Sequence, residues 1–400
     1  MGLLVKKRSG AWLLTGMAKL SFVTFLVALS LSFVDTIWAV YIESFLHNPS
    51  LVGFFSGFLS LVSFISFFVL VPLIERKNKA VLYSYALLLT FVVYVLISLN
   101  KGLVPFVMLM IAMVVLYSLR STSFGIIVKD KSKKKYLSRN EGLIYTFTNI
   151  SWVIGPLIAG IVAANFGIPI IFLMSAGVML LGFFFFRRAK FSDNNIMKET
   201  EDNVLENFFN FFKNKNRTII YFISAGVTLW WSLIYIYIPL MMYDSGMNEM
   251  WIGVFLFFTA LPLILLEYPF SNFAGRYGTR VLFQIGYFIV AMVAFISFFL
   301  NSLVLILVLL VVGSIGIAML EPTTEAYFFD VLKTKKDENR YYGPYNTAIE
   351  TGLIFGKIPA AVLLLFLPMK YIFILYGLFM LSLFVLATKS KNVIENRKIS

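Results

Sequence analysis

The chain contains no cysteine and a single histidine, His47, in 400 residues. Without thiols there is no disulfide, no thiolate metal site and no cysteine nucleophile. One imidazole cannot build a histidine-rich metal centre, so neither a metal ion nor a cofactor is expected. No His-Glu-x-x-His sequence and no Walker-type glycine loop is present, which leaves a membrane-embedded enzyme as a distant alternative only. A passive channel finds no support either, because no filter-like repeat occurs. Charge is also scarce. Asp, Glu, Lys and Arg make up 14% of the chain, against about 25% in an average soluble domain.

Apolar residues take the place of charge. They form 60% of the chain, Phe alone contributes 43 residues, and the mean hydropathy is +0.87. A soluble domain of this length buries its core with about 45–50% apolar residues, so the excess points to an outer surface that faces lipid. A helix crosses a bilayer with roughly 20 apolar residues. The runs at 19–43, 51–74, 80–99, 103–128, 143–164, 168–186, 218–243, 251–270, 281–300, 303–328, 343–367 and 370–388 meet that requirement. Irregular backbone cannot face lipid with its N–H and C=O groups unpaired, and the short alternating segments of a membrane barrel are missing. The expected fold is all-α, with about twelve membrane-spanning helices.

The net charge of +14 would suggest nucleic acid in a soluble protein, but its distribution assigns it to topology. Alternate connections hold Arg76, Lys77 and Lys79, then Lys129 to Arg139, Arg187 to Arg217, Arg276 and Arg280, and Lys333 to Arg340. The termini add Lys6, Lys7, Arg8, Lys389, Lys391, Arg397 and Lys398, whereas the opposite connections hold only Lys101 and Lys370. Positive charge stays in the cytoplasm, so a multi-pass protein of the cell membrane with both termini cytoplasmic is expected. No nucleic-acid partner is expected.

The long connection 187–217 divides the chain into an N-terminal six-helix half (1–186) and a C-terminal one (218–400). Within it Leu205, Phe208, Phe209 and Phe212 recur at helical spacing, with Glu206, Asn207, Asn210 and Lys213 on the other side. This predicts a short amphipathic helix, lying on the cytoplasmic membrane face or packed between the halves. The halves repeat each other: LVGFF at 51–55 matches WIGVF at 251–255, ERKNK at 75–79 lies opposite GRYGTR at 275–280, and Asp130 and Asp330 follow apolar runs at the same offset of 200. Gly142 and Gly343 are expected to open the fifth helix of each half. Duplicated halves place a binding site at their interface near mid-membrane.

On three features the chain resembles the major facilitator superfamily. One is the loop after the second helix of each half, where the family has Gly-xxx-Asp-Arg-x-Gly-x-Arg. The second copy has Arg276, Gly278 and Arg280 in register, with Gly275 in place of the acid; the first has Glu75, Arg76 and Lys79, with Asn78 in place of the glycine. Another is the fifth helix. Gly142, Ser151, Gly155-Pro156 and Ala159-Gly160 follow the family's antiporter pattern with Ser and Ala replacing two glycines, and Gly343, Gly352 and Gly356 echo it, with Lys357 where the proline would stand. Small residues let helices approach and the proline bends the helix. The third is charge inside crossings: Asp35, Arg120, Glu267, Glu321, Glu325, Glu350 and Lys357. The resemblance implies that crossings one, four, seven and ten line a central cavity, that the protein works as a monomer, and that it is a secondary transporter.

A charge in the bilayer core costs about 2.5–3.5 kcal/mol on insertion scales, so each such residue needs a partner or water. Asp35, Glu321, Glu350 and Lys357 are the leading candidates for solute or proton binding, with Arg120 and Glu267 behind them. Arg120 and Glu321 are expected to face each other, and Lys357 to pair with Asp35 or Glu350. A carboxyl withdrawn from water favours its protonated form and can exchange a proton for a cationic solute. Trp230, Trp231, Tyr235 and Tyr237 either supply aromatic faces for a cation or pack. The expected activity is proton-coupled export of a small organic solute, cationic or amphipathic. The alternative is a proton-coupled importer of a sugar, peptide or organic acid.

Overall fold

The computed structural model describes residues 4–6, 12–14, 16–131, 137–189, 204–332 and 334–394. The terminal charges Lys7, Arg8, Arg397 and Lys398 lie outside the described residues. Two short antiparallel strands, β1 (Leu4–Lys6) and β2 (Trp12–Leu14), come first, and the other elements among the described residues are helical. The first half consists of α1 (Gly16–Leu46), α2 (Pro49–Glu75), α3 (Lys79–Leu99), α4 (Leu103–Lys131), α5 (Leu137–Phe166) and α6 (Ile168–Arg188). After α7 (Val204–Phe212) come α8 (Lys215–Ser232), α9 (Ile238–Asp244), α10 (Glu249–Tyr277), α11 (Thr279–Phe299) and α12 (Leu303–Asp330). The chain then runs through α13 (Lys335–Asn346), α14 (Ala348–Leu364) and α15 (Ile372–Ala387). Among the described residues, 12 stretches are long and apolar enough to cross a membrane. Each expected crossing is present within a few residues.

Connections are short and locally explained. His47, at φ 50°, ends α1 in the left-handed region with its N–H on the Glu43 carbonyl (2.8 Å), and Pro49 opens α2. The lone histidine is thus a helix stop. Asn78 and Asn214 cap α3 and α8 through their side-chain oxygens.

Two crossings are interrupted. In the seventh, a π turn at Leu233–Tyr237 joins α8 to α9. Pro239 follows it and offers no N–H to the preceding turn, so the Ile238 N–H reaches back to the Leu233 carbonyl instead. The eleventh crossing (Arg340–Leu364) combines the end of α13 with α14. Gly142 and Gly343 do not open their helices: each lies inside one. The break in the second half falls at Thr347, just past Pro344, and the Thr347 hydroxyl donates to the Pro344 carbonyl (2.7 Å).

The repeat extends to helix boundaries. α3 spans 79–99 and α11 spans 279–299; α2 and α10 begin at 49 and 249, α4 and α12 at 103 and 303. Packing repeats as well, since α3 lies against α4 and α6, and α11 against α12 and α15.

The chain forms two compact units. One comprises 1–37, 65–201 and 249–254; the other comprises 38–64, 202–248 and 255–400. The divisions fall inside α1, α2 and α10, so the first part of α2 belongs with α14 and the first turn of α10 with α5.

α7 packs differently from its expected wheel. Phe211 and Asn207 are its buried residues, whereas Leu205 and Phe209 are exposed. Phe211 lies among the rings of Tyr221, Phe328 and Tyr341. Asn207 is drawn inward because its side-chain oxygen accepts a hydrogen bond from Arg340 on α13.

Candidate functional site

Two of the candidate residues, Asp35 and Arg120, lie in the first unit. Arg120, on α4, is 3% exposed. Its Nη1 donates to Thr90 Oγ1 (3.4 Å), and its guanidinium lies 5.6 Å from the Tyr117 ring centroid. Arg120 and Asp35, on α1, are both near enough to Tyr94 to act on it electrostatically. Helices α1 and α4 thus place one acid and one base within electrostatic range of a fully buried phenol on α3. The Tyr94 hydroxyl itself makes no hydrogen bond among the described residues; a phenol can donate to a carboxylate and only accept from a guanidinium.

The second unit holds two further constellations. Glu267 of α10 and Glu321 of α12 interact as like charges. Pro262 and Pro269 interrupt the backbone ladder of α10 on either side of Glu267, and Pro322 that of α12 beside Glu321. The other pair is on α14. Ser63 Oγ of α2 donates to Glu350 Oε1 (2.7 Å). Lys357 Nζ donates to Ser60 Oγ (2.9 Å) and to the Ser56 carbonyl (3.5 Å), while Glu350 and Lys357 attract each other. Lys357 is 8% exposed. Its own carbonyl accepts a bond from the Tyr237 hydroxyl at the π turn (2.5 Å). Acid and base at this spacing thus share one polar edge of α2, while the π turn holds the backbone at the lysine.

The aromatics of the seventh crossing divide. Trp230 and Tyr237 are fully buried and belong to the core, whereas Trp231 and Tyr235 are partly open with ring centroids 5.8 Å apart.

The small-residue positions sit at close helix contacts, and the contacts repeat. A Cβ at Gly155 of α5 would overlap Ser32 Oγ of α1; one at Gly356 of α14 would overlap Ser232 Oγ of α8. Ser32 and Ser232 donate to the carbonyls of Leu29 (2.9 Å) and Leu229 (2.6 Å) respectively. Four residues earlier, Ser151 Oγ donates to the Phe25 carbonyl (2.9 Å), and Gly352 lies directly on the Ala225 carbonyl. Gly160 meets the backbone of Glu249 and Gly253 on α10, with an added Cβ at 2.6 Å from the Glu249 carbonyl oxygen. Gly253 in turn lies against the Pro156 carbonyl. The repeat partner of Gly253 is Gly53, which packs on Ala361 of α14 and on the Tyr237 ring. Of Gly142 nothing beyond its place in α5 is described; Gly343 is half-buried in α13.

The family model described as Major Facilitator Superfamily matches residues 20–266 and again 227–396. The chain belongs to the Major Facilitator Superfamily. No curated protein sequence matches it, but solved structures share its fold. A POT family transporter in complex with 5-aminolevulinic acid aligns with a TM-score of 0.77 at 12% identity, covering 93% of this chain and 95% of the other. The nucleoside transporter NupG gives 0.71 at 13% identity over 94% and 100%. A bacterial homolog of the human lysosomal transporter Spinster, in an inward-facing and occupied conformation, gives 0.70 at 11% identity over 94% and 96%. The molecule is accordingly a multi-pass membrane transporter of this superfamily.

The two loop copies of this MFS protein have diverged for a visible reason. Gly278 has φ +98°, and its N–H closes α10 on the Ala274 carbonyl (2.8 Å). Glycine is the residue that adopts this conformation at no steric cost. Asn78, at the matching place, has φ −70° and serves as an N-cap, accepting from the Val81 N–H (3.0 Å). Glycine is not needed there. The Arg280 guanidinium donates to the Thr388 carbonyl, and the Arg280 N–H to Asn392 Oδ1 (3.2 Å). The second loop is therefore stitched to the segment after α15. Arg76 and Arg276 are exposed and Lys79 is buried. For Glu75 only the backbone is described, as the last residue of α2.

Sequence reasoning missed the serines. Ser56, Ser60 and Ser63 lie at helical spacing in an apolar run, and Ser32 and Ser232 share the offset of 200 that marks the repeat. Those two patterns were the available signal.

Proposed function

We propose that this transporter couples proton movement to export of a small organic solute of cationic or amphipathic character, by alternating access. The observation that carries the reading is the like-charge interaction of Glu267 with Glu321, each beside a proline that interrupts its helix, inside the membrane-spanning part of the second unit. Two like charges in a poorly hydrated site cannot both stay ionised without cost, so the pair holds a proton or a cation. A change of access alters hydration of the pair, which then releases one and takes the other. Asp35, which acts on Tyr94 electrostatically as Arg120 does, is the corresponding acid of the first unit. Glu350 and Lys357 act as the secondary pair. The close-packed α5 and α14 support rigid-body movement, since helices that touch through backbone move together.

Flux into proteoliposomes under an imposed pH gradient tests this reading. Asp35→Asn and Glu321→Gln should each uncouple flux from the gradient without preventing insertion. Parent-level, gradient-driven flux in both variants would show that neither acid is the coupling group. Solute accumulation with the proton gradient, rather than against it, would favour the importer of a sugar, peptide or organic acid.

A further inference from the structure

The 9-residue helix α7 is buried on one side and exposed on the other. On the bound side Phe211 is fully buried, and Arg340 of α13 reaches both Asn207 and Glu206, the latter at 3.8 Å. At the C-terminal end Arg217 of α8 donates to the carbonyls of Phe211 (2.9 Å) and Asn210 (2.8 Å), with its guanidinium 3.9 Å from the Tyr341 ring centroid. These contacts fix the rotation of α7 about its axis. The fixed rotation leaves Phe209 67% and Leu205 51% exposed. Both are one turn apart on the side opposite Asn207 and Phe211. A helix that met water there would carry polar residues.

We propose that this open side of α7 docks on the headgroup layer of an anionic bilayer. Three observations select lipid. First, α7 ends at Phe212 and the membrane-crossing α8 begins at Lys215. A link of that length spans at most about 10 Å, so α7 stays at the level of the membrane surface. Second, Lys213 and Lys215 flank the apolar side and are exposed, which complements anionic headgroups. The acidic residue on the helix, Glu206, is engaged by Arg340. Third, two side chains with their flanking phenylalanines are far too small a patch for a stable protein partner, which needs on the order of 1,200 Å² or more. Two apolar side chains sunk beside a basic edge are enough for an interfacial helix already anchored at both ends. Through Arg340 the docked helix also steadies α13, which leads directly into α14 and its Glu350–Lys357 pair.

The absence of cysteine allows a direct test in the full-length protein. Single cysteines at Leu205, Phe209 and Lys213 are spin-labelled and reconstituted in phosphatidylcholine vesicles with and without phosphatidylglycerol. Power saturation is read with oxygen, which partitions into lipid, and with a water-soluble nickel chelate. Labels at positions 205 and 209 should favour oxygen over nickel several-fold more than the label at position 213, and more strongly with phosphatidylglycerol present. Preference for the nickel chelate at 205 and 209 means that the face meets water and overturns the proposal. Shielding from both reagents means that protein covers it and overturns it equally. Indifference to phosphatidylglycerol overturns the anionic requirement. All three positions are exposed, so the labelled proteins fold as the parent does, which size-exclusion elution verifies.

Discussion

At Gly155 the gap between α5 and α1 is smaller than a methyl group, because Ser32 Oγ already occupies it. Even Gly155→Ala should therefore destabilise the protein by about 1–3 kcal/mol, as overpacking does. Adding Ser32→Gly should restore most of the loss. Gly356→Ala with Ser232→Gly should behave in the same way in the other half. Thermal unfolding in detergent measures both cycles, and strict additivity would contradict the direct contact. The loop residues give a contrast at the same scale. Gly278→Ala places a side chain at φ +98° and against Asn392, so it should cost more than about 1 kcal/mol. Asn78→Gly keeps a tolerated N-cap residue at φ −70° and should cost only a few tenths of a kcal/mol. Equal losses at the two positions would mean that backbone conformation does not explain why one copy of the loop has lost its glycine.

Among the elements, α14 combines the most roles. Its glycines admit α8, its lysine reaches the serines of α2, and its backbone receives the Tyr237 hydroxyl from the π turn. A buried ammonium is retained only where acceptors and an opposite charge compensate it. Lys357→Met should therefore leave Glu350 without its attractive neighbour and lower both stability and transport. Lys357→Met with Glu350→Gln should recover stability beyond additivity, because the pair is removed whole. If Glu350→Gln brings no recovery while Asp35→Asn does, the lysine serves Asp35 instead. Tyr237→Phe deletes one hydroxyl bond and should cost about 0.5–1.5 kcal/mol. Loss of helix packing without loss of transport would assign the π turn to architecture alone.

For the whole molecule, the distribution of Lys and Arg predicts cytoplasmic termini and a cytoplasmic 187–217 connection. Single cysteines at Lys213 and Asn301, both exposed in this cysteine-free chain, separate the possible orientations. A membrane-impermeant maleimide added to intact cells should modify the variant at Asn301 and spare the one at Lys213. The reverse pattern would invert the topology. The repeat also shapes the whole fold. Helix boundaries recur at an offset of 200 in α2–α4 and α10–α12, and the serine–glycine contacts of α5 and α14 recur with them. Even so, the compact units exchange the first part of α2 and the first turn of α10 relative to the two halves of the sequence.

The twelve crossings, the repeat and the superfamily were legible in the sequence because each rests on a local rule. Lipid demands a run of roughly 20 apolar residues whatever the helix touches, and duplication leaves matching residues at a constant spacing. The positions of close approach were legible too, since glycine, alanine and serine in an apolar helix mark where a neighbour needs room. Only the tertiary structure decided which partners those residues meet. Nothing in the spacing of Glu267 and Glu321, 54 residues apart in the chain, indicated that they interact. Nor did any spacing indicate that Asp35 and Arg120 both act electrostatically on Tyr94, which α3 carries. The wheel of α7 placed Asn207 on the solvent side, but a single arginine from α13 turned it inward. A helix wheel records polarity along one element, whereas the direction a polar group faces depends on which distant group satisfies its hydrogen bonds.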